Sequence, residues 1–128
     1  GTRIGGSLIP RAIDELPIIA VAAALADGIT EIRDAEELRV KESDRITAVA
    51  AMLRSFGATV EVLQDGLRII GGGIFRGAKI DSHSDHRVAM SAAVAALFAN
   101  GESLLDDKDV VQVSYPMFWQ DMAIITGR

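Results

Sequence analysis

The feature that most limits what this chain can fold into is that it repeats itself. VAAALADGITEIRDAEELRVKESDRI, from Val21, and VAALFANGESLLDDKDVVQVSYPMF, from Val94, align around Gly28 and Gly101. Identity between the copies is low, but the order of signals is the same. Each has an apolar helix, an Asp-Gly or Asn-Gly stop, a strand, an acidic loop, and the start of another helix. That order implies a βαβ-type unit used in tandem, with the second copy truncated, and hence an α/β chain. Such a unit buries its faces only against neighbours. At 128 residues the chain has room for one core, and it is expected to be part of something larger, an expectation its opening on Gly1 without an initiator Met also suggests.

The patterning fills in the elements. Glu15 to Ala26 is apolar nearly all round, with Pro17 in the first turn, which predicts a helix buried on most faces. A second helix is expected from about Ser43 to Phe56, where Ile46, Val49, Ala50, Leu53 and Phe56 follow three- and four-residue spacing and Gly57 stops it. A third should run from about His86 to Ala99, and a fourth from Pro116 to near Ile125. Strands are expected at Ile29–Arg33, Ala78–Ile80 and Ser103–Leu105. Thr59–Leu63 and Leu67–Ile70 read as a hairpin around Gln64-Asp65-Gly66. Gly71-Gly72-Gly73 follows a strand, but no helix start and no Lys-Ser/Thr comes after it, so it reads as a turn.

Composition narrows the function. The formal net charge of −5 argues against nucleic acid as the main partner, though not against a small anion held by a local group of cations. There is no cysteine, which removes disulfides, thiolate metal sites and thiol catalysis. No secretory leader is visible, and Ile18 to Ala26 is too short an apolar run to span a bilayer. The simplest address is cytoplasmic, without a membrane partner.

Two knots of charge stand at helix starts. In RVKESDRI, residues 39–46, Lys41 and Arg45 lie about one turn apart and can aim at a common anion, helped by free N–H groups at the helix N-terminus. Glu42 beside them reads as a proton carrier, or all of them form a salt-bridge network with Asp44 as a first-turn dipole partner. In SDHRVAM, residues 84–90, Arg87 offers a two-pronged guanidinium for carboxylate or phosphate. His86 can donate a hydrogen bond or move a proton, and Asp85 reads first as an N-cap. His83 reads as a solvated loop residue, and Asp14, ahead of Pro17, as another N-cap. Two histidines among scattered carboxylates make no metal-ligand spacing. In a parallel βα architecture these three helix starts share one face, where sites are usually built.

RVKESDR and SDHRVAM, together with DELP at 14–17, GGSLIP at 5–10 and SYPMFW at 114–119, resemble the motifs of 5-enolpyruvylshikimate-3-phosphate synthases, in the same order and over essentially the whole chain. The resemblance implies the inside-out α/β barrel of the enolpyruvyl transferases, built from βαβαββ units with helices packed inside. Residues 1–128 would be a single partial domain of it, about 1–76 one full unit and about 77–128 a βαβα portion of the next. It implies transfer of the enolpyruvyl group of phosphoenolpyruvate to the 5-hydroxyl of shikimate 3-phosphate, through a tetrahedral intermediate and without metal or cofactor.

By the same resemblance Asp14 contacts the attacking hydroxyl, and Glu42 protonates and deprotonates the methylene carbon. Lys41 lies near both substrates, Arg45 and Arg87 bind phosphoenolpyruvate, and His86 belongs to the site. The other partner is an N-terminal domain that this chain lacks, so the chain alone is expected to be inactive. One departure stands out. Such enzymes often carry a lysine just before the Ser-Tyr-Pro step, and here Val113 occupies that place, with Lys108 several residues upstream. UDP-N-acetylglucosamine enolpyruvyl transferases share the fold but lack the RVKESDR and DHR pairing. A third reading is a non-catalytic repeat module whose charges only stabilise helix starts.

Overall fold

The computed structural model describes residues 1–127. Its strands are β1 (Arg3–Ile4), β2 (Ile29–Ile32), β3 (Thr59–Leu63), β4 (Gly66–Ile70), β5 (Lys79–Ile80) and β6 (Leu104–Leu105). Its helices are α1 (Leu8–Ala12), α2 (Leu16–Leu25), α3 (Arg45–Ser55), α4 (His86–Ala96) and α5 (Phe118–Thr126). Short 3₁₀ turns at Ile13–Glu15, Glu36–Val40 and Asp109–Val113 lead into α2, α3 and α5.

One sheet has the order β1-β2-β4-β3 and a second pairs β5 with β6. β1 and β2 run parallel across the α2 crossover, with Ile4 opposite Ile32. β5 and β6 run parallel across α4, with Ile80 opposite Leu105. β3 and β4 form an antiparallel hairpin whose register places Leu63 opposite Gly66. The two copies seen in the sequence are thus two parallel crossovers, the first completed by α3 and the hairpin.

Burial explains why α2 is apolar on every side. It packs on both α3 and α4, and the inner face of the larger sheet closes over the group. Thr30, Ile32, Val60, Leu67 and Ile69 point inward, whereas Thr59, Glu61 and Ile70 face out. This is the alternation of a half-covered sheet. The helices therefore lie inside and the strands outside, and Phe56 stacks on Phe75 at 5.4 Å between ring centroids at the end of α3.

The triple glycine is a structural turn. A Cβ on Gly71 would stand 1.7 Å from the Ala26 carbonyl oxygen, and the Gly71 N–H donates to the Gly28 carbonyl. The segment thus crosses the end of α2 where no side chain fits. Some boundaries differ from expectation. α4 stops at Ala96 because Leu97, Phe98 and Ala99 tighten into three-residue hydrogen bonds. α5 starts at Phe118 rather than Pro116, after a turn in which the Phe118 N–H reaches the Tyr115 carbonyl. β1, α1 and the 3₁₀ turns are too short to show a period. Among the described residues no helix is long and apolar enough to cross a membrane.

Candidate active site

The site is organised by Arg45, the first residue of α3. Its helix is capped by Asp44, whose carboxylate accepts from the Thr47 N–H at 3.3 Å. Asp44 is held in turn by Arg39, at 2.8 Å, and Arg39 also donates to the Leu63 and Gln64 carbonyls of the hairpin. The loop is thereby pinned and α3 starts where it does. The Arg45 guanidinium then turns inward, with only 1% of the side chain exposed.

Three carboxylates meet it there. Asp85 accepts at both oxygens, from Nε at 2.8 Å and Nη2 at 3.2 Å. Asp14 accepts from Nη1 at 3.0 Å, and Glu42 accepts from Nη2. A guanidinium has five N–H donors, so these hydrogen bonds leave one free. Asp85 is fully buried and is further held by the Ser43 hydroxyl at 2.7 Å and by the Arg87 N–H at 2.9 Å, as the N-cap of α4. Burial alone would push the Asp85 carboxyl up. The hydrogen bonds from Arg45 and Ser43, the charge of Arg45 and the helix cap outweigh it and hold the group below the ordinary carboxylate range. Burial likewise works against the Arg45 charge, and Asp85, Glu42 and Asp14 more than reverse it.

His86 stands beside this group, 7% exposed. Its Nδ1 lies 2.5 Å from the Ser114 hydroxyl, and its Nε2 lies 3.9 Å from the Glu42 carboxylate. Arg87 follows on the next position. Its Nε is buried and has no hydrogen-bond partner among the described residues. Arg87 lines a cavity of about 140 Å³ with Asp14, Glu15 and Ser91. A larger hollow of about 230 Å³, walled by Ala92, Ala96, Leu104 and Trp119, is mostly apolar and contains none of these groups.

Asp14, Glu42, Arg45 and His86 are therefore gathered at one place, and Arg87 shares the cavity with Asp14. Lys41 is placed differently: its ammonium pairs with Glu37 at 3.8 Å rather than with the carboxylates around Arg45. Lys108 sits over the Trp119 ring, 5.9 Å from its centroid, at the rim of the apolar hollow.

Asp14 is not the N-cap the sequence suggested. The chain enters α2 through the 3₁₀ turn Ile13–Glu15, so Glu15 holds the cap position without a side-chain bond, and Asp14 is free to reach Arg45. Asp85 does cap α4. Its second task as the buried partner of Arg45 was not visible in the sequence, nor were the roles of Ser43 and Ser114. For Ser114 the only hint was its place in the SYPMFW stretch.

Glu42, Asp85 and His86 each bring one donor atom within 4.8 Å of the others, a set chemically able to hold a divalent ion. Arg45, however, already supplies the positive charge there and occupies both Asp85 oxygens. The site that results is a guanidinium ringed by carboxylates, beside an imidazole and a second guanidinium whose Nε has no hydrogen-bond partner among the described residues. It can bind an anion at Arg87 and move protons through Asp14, Glu42 and His86.

Helices enclosed by strands, with carboxylates, an imidazole and guanidinium groups gathered at three helix starts, define an α/β repeat domain. Comparison with known proteins makes that specific. The family model for EPSP synthase (3-phosphoshikimate 1-carboxyvinyltransferase) matches residues 1–122, and the chain belongs to this family. The 3-phosphoshikimate 1-carboxyvinyltransferase of Herpetosiphon aurantiacus is 56% identical over 125 residues, which cover 98% of this chain and 29% of the relative. That of Thermosynechococcus vestitus is 60% identical over 117 residues, or 91% of this chain and 27% of the relative. An EPSP synthase structure from Acinetobacter baumannii superposes with a TM-score of 0.84 at 42% identity, covering 90% of this chain and 27% of that one. The chain thus spans less than a third of the length of these relatives.

Proposed function

We propose that this chain is the C-terminal portion of a 3-phosphoshikimate 1-carboxyvinyltransferase of the shikimate pathway to aromatic amino acids. It would act in the cytoplasm on shikimate 3-phosphate and phosphoenolpyruvate. The observation that carries the reading is the meeting of Asp14, Glu42, Asp85 and His86 around Arg45, with Arg87 on the adjoining cavity.

Each residue then has a task. Arg87, with a buried Nε and no partner for it among the described residues, grips a carboxylate or phosphate oxygen of phosphoenolpyruvate. Asp14, whose side chain is 46% exposed, takes the proton of the 5-hydroxyl as its oxygen bonds to C2 of phosphoenolpyruvate. Glu42, which takes up a proton as the substrates bind, gives it to the methylene carbon, which becomes the methyl group of a tetrahedral intermediate. Phosphate then leaves as its C–O bond breaks, carrying off the proton that Asp14 had accepted, and Glu42 takes a methyl proton back to restore the double bond. Such proton transfers contribute about 10²–10⁴-fold each. Arg45 takes hold of the developing anion as Asp14 or Glu42 releases it, while buried Asp85 keeps it in place. Lys41 joins the site on turning away from exposed Glu37.

A cavity of about 140 Å³ is smaller than the roughly 300–1,000 Å³ of ordinary ligand sites. The opposite wall is assigned to an N-terminal domain. Steady phosphate release from both substrates is expected from a full-length polypeptide that carries this segment, and none from the 128-residue chain alone. Calorimetry with shikimate 3-phosphate and glyphosate should show binding that Arg87→Ala weakens. A full-length protein that binds neither compound would refute the reading and leave the charges a purely structural role.

A further inference from the structure

The two nitrogens of His86 face different partners. Nε2 looks towards the Glu42 carboxylate at 3.9 Å, and Nδ1 lies 2.5 Å from the hydroxyl of Ser114. Ser114 closes the 3₁₀ turn Asp109–Val113, where its own N–H reaches the Val111 carbonyl at 3.2 Å and that of Tyr115 reaches it at 2.8 Å. Its main chain is therefore fixed, and its hydroxyl has no other partner among the described residues.

We propose that Ser114 is a positioning residue for the transfer reaction: its O–H donates to Nδ1 and holds His86 as the Nε2–H tautomer, aimed at Glu42. The inference rests on the reading of Glu42 as the proton carrier. Its logic is one of donors and acceptors. A neutral imidazole carries one proton, and an ionised carboxylate only accepts. With the proton on Nδ1, the Nε2 lone pair would face the lone pairs of Glu42. With the proton on Nε2, the ring donates towards Glu42, and Nδ1 needs a donor that a freely rotating hydroxyl supplies.

At 3.9 Å the Nε2–H does not yet bond to Glu42, and apo sites commonly tighten only when substrate arrives. Ser114 keeps the ring at the angle from which a small tilt closes that gap. The Nε2–H then supports the Glu42 carboxylate at the moment it has given its proton to the methylene carbon. Arg45, already bonded to the same Glu42 oxygen, is the other group that steadies it.

The test uses the full-length polypeptide carrying this segment, labelled with ¹⁵N-histidine. His86 is identified by the signals lost in His86→Gln. The unmodified protein should show the widely separated ring ¹⁵N shifts of an Nε2–H imidazole. In Ser114→Ala the two shifts should move towards each other as the tautomers mix. Turnover should fall about tenfold while KM for either substrate stays within about twofold, as expected for lost alignment rather than lost binding. Ser114→Thr, which keeps the hydroxyl, should restore both readouts. Ring shifts unchanged in Ser114→Ala, or an Nδ1–H form in the unmodified protein, would overturn the proposal. Absence of turnover in the unmodified protein would instead remove the proposed function, and the ring shifts would still decide the hydrogen bond.

Discussion

The starts of α2 and α4 hold equivalent places in the two crossovers, and each sends an aspartate to Arg45, but the two aspartates have opposite surroundings. Asp85 is fully buried, caps its helix and accepts from Arg45 at both oxygens. Asp14 has a side chain 46% exposed, caps nothing and makes a single bond to Arg45 at the mouth of a cavity. A shared local pattern thus gives one carboxylate that fixes a cation and another that is free to leave it. The difference comes from the segment before each helix. A 3₁₀ turn displaces Asp14 from the cap position, whereas Ser84 and Asp85 lead straight into α4.

The contrast predicts opposite responses to substitution. Asp85→Ala removes the buried partner of a buried guanidinium and should cost about 3–5 kcal/mol of stability, measured by chemical denaturation. Asp14→Ala breaks an ion pair that is half in water and should cost less than about 1 kcal/mol. On turnover the ranking reverses for the milder change. In the full-length polypeptide that carries this segment, Asp14→Asn should keep the fold and lower kcat by about 10²–10⁴-fold, the usual contribution of a general base. If Asp14→Asn turned over normally, the division between a positioning and a reacting aspartate would fail.

Acid separates the two further. Asp85 is held below its ordinary value in the folded state. Its contribution to stability is therefore complete above the unfolded value of about 3.9 and fades only as pH falls below it, through the folded value. Asp44, Asp65 and Asp106 are lowered in the same sense. Denaturation midpoints should hold steady from neutrality to about pH 5 and then drop, and Asp85→Asn should flatten that drop. An Asp85→Asn curve parallel to that of the unmodified chain would show that Asp85 is not the group that couples folding to acid.

Much of this can be read from the residues alone. The repeat around Gly28 and Gly101 marks the two crossovers because a helix stop followed by a strand is a local signal, and both glycines do adopt positive φ, 90° and 100°. The gathering of Asp14, Glu42, Arg45 and His86 follows from their places at helix starts. What escapes such a reading is long-range. Asp85 reads as a cap because capping lies within three residues, whereas its bond to Arg45 spans 40 positions. Ser114 meets His86 across 28. Lys41 lies only four residues from Arg45, but the loop between them turns it towards Glu37.

A smaller effect tests how tightly α4 is set in place. His83 and Ser84, immediately before the Asp85 cap, both hold left-handed backbone, with φ of 55° and 54°. That region costs a residue with a side chain roughly 1–2 kcal/mol, and the pair is exposed, so packing does not force it. The hydrogen bonds from the His83 N–H to Asp81 and from the Asp85 N–H to the Ser82 carbonyl hold the turn. Ser84→Gly removes the steric penalty and adds back about 0.5–1 kcal/mol of chain entropy in the unfolded state, so a net gain of about 0.5 kcal/mol is expected. Asp44→Ala, which removes the cap of α3, should instead cost about 1 kcal/mol. A Ser84→Gly protein less stable than the unmodified one would mean that the Ser84 side chain itself helps aim Asp85 at Arg45.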